Sequence, residues 1–117
     1  MPTVQLSSTA LRVVFSEAPC ASTAPFECVV DMSRLGSLIG VEILDFCRQL
    51  GGATLAPRRV TDDFRWSYDP EIDALSLILQ SGSAQIQQTS TGIAYIDASS
   101  RVAALEVVVR VVPEQAL

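Results

Sequence analysis

The sequence predicts a mainly β fold: two repeated three-stranded antiparallel meanders, packed with pseudo-two-fold symmetry, with one short helical turn. Three observations carry this. Runs of five to eight residues rich in Val, Ile, Leu and Phe alternate with stretches of Ser, Gly, Asp and Pro, the pattern of strands broken by turns. The runs recur in the same order, with Leu11 answering Leu75 and Glu42 answering Glu106 at a common offset of 64 residues. A fixed-period recurrence is the mark of an internal repeat. Finally, Phe46 and Leu50 stand four residues apart just before Gly51-Gly52, which predicts a helical turn with a shared apolar side and a glycine stop.

The elements follow in order. Residues 10–15 read as a first strand, and 16–25, with Pro19 and Pro25, as a loop. Residues 27–31 form a second strand closing on Asp31. A turn of Ser, Arg, Leu and Gly then leads to a third over 38–44. The helical turn occupies 45–50. Residues 51–65, holding Pro57, Arg58, Arg59, Asp62 and Asp63, read as a polar linker between repeats of about 4–50 and 66–112 in a single domain spanning 1–117. In the second repeat, Trp66 and Tyr68 alternate with Ser67 in an extended segment, and Asp69-Pro70-Glu71 makes a turn with Pro at its second position. A strand over 74–79 follows, then a turn at Ser81-Gly82-Ser83. Residues 85–89 read as a polar strand edge, and 92–97 as a strand closing on Asp97. The next turn is expected to be two residues shorter than its counterpart. The last strand covers 102–112, with one apolar face of Leu105, Val107, Val109 and Val111, and ends at Pro113.

Composition narrows the chemistry. The chain has 117 residues, of which 49% are apolar and 18% charged, the opposite of a disordered composition. It contains no His, Lys or Asn, and all eight basic residues are Arg. This bias points to a GC-rich, bacterial genome. It also excludes Ser-His-Asp and Cys-His catalysis, His-ligated zinc and a catalytic Lys. The formal net charge of −5 argues against nucleic acid and anionic membrane surfaces as partners. Cys20, Cys28 and Cys47 are odd in number with no C-x-x-C spacing, so three free thiols in a reducing cytoplasm are expected. A Cys20–Cys28 bridge is the alternative. No basic leader with an apolar core opens the chain, and the apolar stretch over 102–112 is too short for a membrane helix.

Tyr68-Asp69-Pro70-Glu71-Ile72-Asp73-Ala74-Leu75, followed by Gly92 to Asp97 and Leu105-Glu106-Val107, resembles a small bacterial family known as domain of unknown function 2283. Gly40-Val41-Glu42-Ile43-Leu44-Asp45 matches that family's closing strand in the first repeat, where Gln5-Leu6-Ser7-Ser8-Thr9 replaces the Tyr-Asp opening. The resemblance implies a β-rich fold and no assigned activity. Because some members accompany small toxin-like proteins, it also implies a partner-binding role.

Two sets of residues are candidates for function. Asp31, Glu42, Asp97 and Glu106 recur once per repeat. If the repeats pack about a two-fold axis, Glu42 and Glu106 would approach and hold a ligand or divalent cation through oxygen atoms, or shift each other's pKa for acid/base work. The plainer expectation is that Asp31 and Asp97 cap turns and the glutamates pair with Arg12, Arg101 or Arg110. Trp66 and Tyr68 share a face and could form a partner-contact surface, or a lid on the core. No cofactor motif is present. The expected function is therefore a non-enzymatic protein-binding or regulatory module that forms a homodimer or engages a protein partner. The alternative is a ligand- or cation-binding protein using the paired glutamates.

Overall fold

The computed structural model describes residues 3–55, 65–80, 82 and 84–110. The expected linker residues Pro57, Arg58, Arg59, Asp62 and Asp63, the turn residues Ser81 and Ser83, and Val111 to Pro113 lie outside them. The described elements are β1 (Thr3–Leu6), β2 (Ala10–Val14), β3 (Ser22–Met32), β4 (Leu38–Ile43), α1 (Phe46–Gln49), β5 (Arg65–Asp69), β6 (Ala74–Ile78), β7 (Ile86–Ile96) and β8 (Val102–Val108). All eight strands join one antiparallel sheet in the order β1-β2-β8-β7-β3-β4-β6-β5.

The mainly β fold and the helical turn are present; separate meanders are not. The strand β2 lies beside β1 and β8 instead of β3, and β6 lies between β4 and β5. The pairings repeat at the offset seen in the sequence. Val30↔Val41 in β3–β4 is matched by Ala94↔Leu105 in β7–β8, and Leu11↔Val107 by Leu75↔Ile43. Even the register shift at Asp31/Met32 recurs at Tyr95/Ile96.

The two connecting turns are equal in length, spanning residues 33–37 and 97–101, which corrects the expected two-residue deletion. Asp97 therefore matches Ser33, and Asp31 matches Tyr95. In one turn the Ser37 N–H donates to Ser33 Oγ; in the other the Arg101 N–H donates to Asp97 Oδ1. Gly36 and Ser100 hold the positive φ, 87° and 61°.

Two further differences concern strand length. The strand β3 begins at Ser22 and runs through Pro25, a stretch expected to be a loop. Proline is tolerated there because the backbone N and O of Glu27, two residues on, face away from β7 toward α1. The missing N–H of Pro25 thus falls on the side without a ladder. Residues 86–91 and 92–96 form one strand, not two. Among the described residues, β8 ends at Val108.

The sheet curls. Between β2 and β5 lie six strand spacings, about 29 Å if flat. Yet Phe15, just beyond β2, and Trp66 in β5 meet edge to face with ring centroids 5.4 Å apart. The concave side holds the core, led by Leu11, Val13, Val41, Ile43, Leu75, Leu77, Leu105 and Val107, with Phe46 of α1 plugging one end. Each fully buried side chain of this size contributes about 1.5–3 kcal/mol. Gly92 lies opposite Phe26, and a Cβ there would collide with the Phe26 ring and the Glu106 carbonyl.

Candidate functional site

The four recurring carboxylates have four different surroundings. Glu42 lies on β4 and Glu106 on β8, with β7 and β3 between. Three spacings place their strands about 14 Å apart, so the two glutamates do not form the expected pair. Among the described residues, no group of three or more Asp, Glu, Cys or His is arranged to hold a metal ion. Glu106 accepts a hydrogen bond from Arg12 at 3.2 Å, and the Arg12 guanidinium also lies 5.1 Å from the Tyr95 ring centre. Asp97 caps its turn, accepting from the Ser99 and Arg101 N–H groups at 2.8 and 3.0 Å. Asp31 lies within β3, not at a turn, and accepts from Gln87 Nε2 at 2.8 Å.

Glu42 differs most from its counterpart. Its cross-strand neighbour on β6 is Ser76, where Glu106 has Arg12. Partial desolvation, then the charge and hydrogen bond of Asp31, push the Glu42 carboxyl above the usual carboxylate range. The pair is a like-charge contact on an open face.

Trp66 is buried, only 5% exposed, and belongs to the core, so it offers no contact surface. Tyr68 is half-buried and anchors a small network. Its hydroxyl donates to Asp73 Oδ1 at 2.6 Å and lies 3.4 Å from Cys47 Sγ, which donates to it. The Asp73 carboxylate also accepts from the N–H groups of Cys47 and Arg48, at 2.9 and 3.1 Å. It thereby caps α1 from outside. Asp45, the residue at the cap position, has φ 51° and makes no side-chain cap. Hydrogen bonding to Asp73 raises the Tyr68 hydroxyl, and desolvation raises the Cys47 thiol. Burial also pushes the Cys28 thiol up to about 11. All three cysteines are free.

The convex side of the sheet carries what sequence reasoning missed. Where β4 ends, Gln49 of α1 takes over the ladder. Its amide accepts from the Glu27 N–H at 2.7 Å and donates to the carbonyls of Glu27 and Leu44 at 3.0 and 2.7 Å. A cleft of about 620 Å³ opens there, lined by Glu27, Glu42, Asp45 and Gln49 with Thr89, Thr91 and Leu44. Leu44 (57% exposed) lines it, and two further exposed apolar side chains share this sheet face on the strands beyond β3, Ile93 (44%) on β7 and Val108 (55%) on β8. Ile93 shares a face with Thr91 two residues before it. Val108 is tied to β7 by the Ser90 hydroxyl, which donates to its carbonyl. In the sequence these residues look like ordinary strand positions. Of the residues lining the cleft, the sequence reading singled out Glu42 as a candidate for function.

Comparisons with family models, curated proteins and solved structures find no match to this chain.

Proposed function

We propose that the protein is a non-enzymatic binding module, made of two copies of one four-stranded unit about a pseudo-two-fold axis, that acts by docking a protein partner on its convex face. The observation that carries this is the exposed group Leu44, Ile93 and Val108. It lies on a sheet face opposite the one already used for the core. Exposed apolar side chains gathered around polar groups mark interaction sites more often than isolated ones do. The common offset of 64 residues in β3–β4 and β7–β8 pairing supports the duplication. Among the described residues, no helix is long and apolar enough to cross a membrane. The lack of any His or Lys in the sequence supports a non-enzymatic role, since it removes the commonest general bases and the amine nucleophile. A bacterial, cytoplasmic setting belongs to this reading through the Arg-only, thiol-bearing composition. Kinship with the domain of unknown function 2283 is part of this reading, on Tyr68 to Leu75, Gly92 to Asp97, Leu105 to Val107 and Gly40 to Asp45.

The test is affinity capture from bacterial lysate with the wild-type protein and with a Leu44→Ser, Ile93→Ser, Val108→Ser variant. A stoichiometric partner that survives moderate salt and is lost by the variant is expected. Recovery of the protein alone, or equal capture by the folded variant, overturns the reading.

A further inference from the structure

Resting on that reading, we infer that the convex face around the Glu27–Thr91 pair docks a protein segment presenting an Arg or Lys among apolar side chains. Two independent features of the face specify this chemistry. The apolar part is Leu44, Ile93 and Val108, each more than two-fifths exposed. The charged part is the cleft that Leu44 borders, which Glu27, Glu42 and Asp45 line and which no arginine of the described residues lines. Asp31 stands beside Glu42, whose carboxyl is raised by partial desolvation and then by the like charge of Asp31.

The comparison within the chain is the strongest point. Sixty-four residues on, Glu106 has Arg12 as its cross-strand neighbour and forms an ion pair at 3.2 Å. At the same register position Glu42 has Ser76. The counter-charge that completes one half of the sheet is absent from that position in the other. A basic side chain from a partner would supply it, and its apolar neighbours would cover Leu44 and Ile93. Charge complementarity of this kind sets partner choice and association rate, while the apolar contacts carry the burial. A second copy fits less well. A two-fold contact sets a patch against itself, which would bring Glu27 and Glu42 toward their own counterparts on a chain of net charge −5.

The experiment is amide chemical-shift mapping on isotope-labelled protein. The probe is a synthetic peptide alternating Leu or Val with Arg; its counterpart with Glu in place of Arg is the control. The Arg peptide is expected to shift the amides of Glu27 to Val29, Glu42 to Asp45 and Thr89 to Thr91, and the Glu peptide none. Combining Glu42→Gln with Asp31→Asn should weaken binding about fivefold or more, roughly 1 kcal/mol, and added salt should weaken it further. Both substitutions keep the side-chain shape and remove a repulsion, so the variant should fold. No shifts at millimolar peptide, shifts elsewhere, or undiminished binding by the double variant would overturn the inference. So would a concentration-dependent dimer whose formation broadens these same amides, which assigns the face to a second copy. The two readings fail separately. Lysate capture lost with the Leu44→Ser, Ile93→Ser, Val108→Ser variant but kept with the Glu42→Gln, Asp31→Asn variant leaves the module standing and removes the basic segment. Capture of no partner by the wild-type protein removes the module.

Discussion

At the scale of single residues, Asp73 does more than its place in an acidic stretch suggests. It accepts hydrogen bonds from Tyr68 and from two amides of α1. Partial desolvation alone would raise its carboxyl. The Tyr68 hydroxyl and the Cys47 and Arg48 amides outweigh that, so the pKa falls below its ordinary value. A carboxyl depressed in the folded state stabilises the fold above the unfolded pKa, about 4, and that stability is lost as pH falls through the folded value. Asp73→Asn should cost about 1 kcal/mol near neutral pH, the usual size for a lost cap. The gap to wild type should close on acidification, as read from urea midpoints across pH. Glu42 runs the other way. Its folded pKa is raised, first by desolvation and then by Asp31, so it disfavours folding increasingly as pH rises through that value. Glu42→Gln should therefore raise the melting temperature at pH 7 and leave it unchanged at pH 3. A stability gain from removing an exposed charge is the behaviour of a residue kept for binding.

At the scale of elements, two devices hold strands that propensity alone would not. Gln49 replaces a strand residue beside Glu27 with its side-chain amide. Gln49→Leu preserves bulk but leaves those backbone groups unmatched. It should cost about 2 kcal/mol and speed amide exchange at Glu27 and through α1, as hydrogen–deuterium exchange would show. Gly92 lets the two longest strands pair with Phe26 lying across the gap. Gly92→Ala should destabilise by about 1–3 kcal/mol, the cost of overpacking a filled site, measured by denaturant midpoint. The five-residue turns show how different residue types build one geometry. Ser33 and Asp97 each cap their own turn, and Gly36 and Ser100 each take the positive φ. Matching by residue type set Asp31 against Asp97. Matching by backbone sets Asp97 against Ser33.

At the scale of the whole molecule, the exchange of β2 and β6 between halves makes the sheet one cooperative unit. Neither half contains the neighbours its own strands need: β2 requires β8, and β4 requires β6. The lone Trp66 sits in the edge strand β5 and touches Phe15 from the opposite end of the sheet. Its fluorescence therefore reports closure of the curl. Urea unfolding followed by Trp66 fluorescence and by far-ultraviolet circular dichroism should give coincident curves, as expected of a two-state domain. Fluorescence that changes first would show two independently folding halves.

By itself the sequence determined the class of the fold, most strand positions, the helical turn and the 64-residue recurrence. These depend on local pattern: side-chain alternation, β-branched runs and turn residues act within a few positions of one another. Burial of Leu11, Leu75 and Leu105 could be read that way, and so could the turn at Asp69-Pro70-Glu71. Tertiary structure alone decided which strands became neighbours. A strand pattern says which face is apolar but not what lies alongside, so β2 beside β8 and the distance between Glu42 and Glu106 were beyond its reach. The candidate surface belongs to that second kind. Val108 falls on the second, half-apolar face of its strand, and alternation sends it, like Ile93 beside the buried Ala94, away from the core; that Leu44 shares this face with them is decided only by which strands become neighbours.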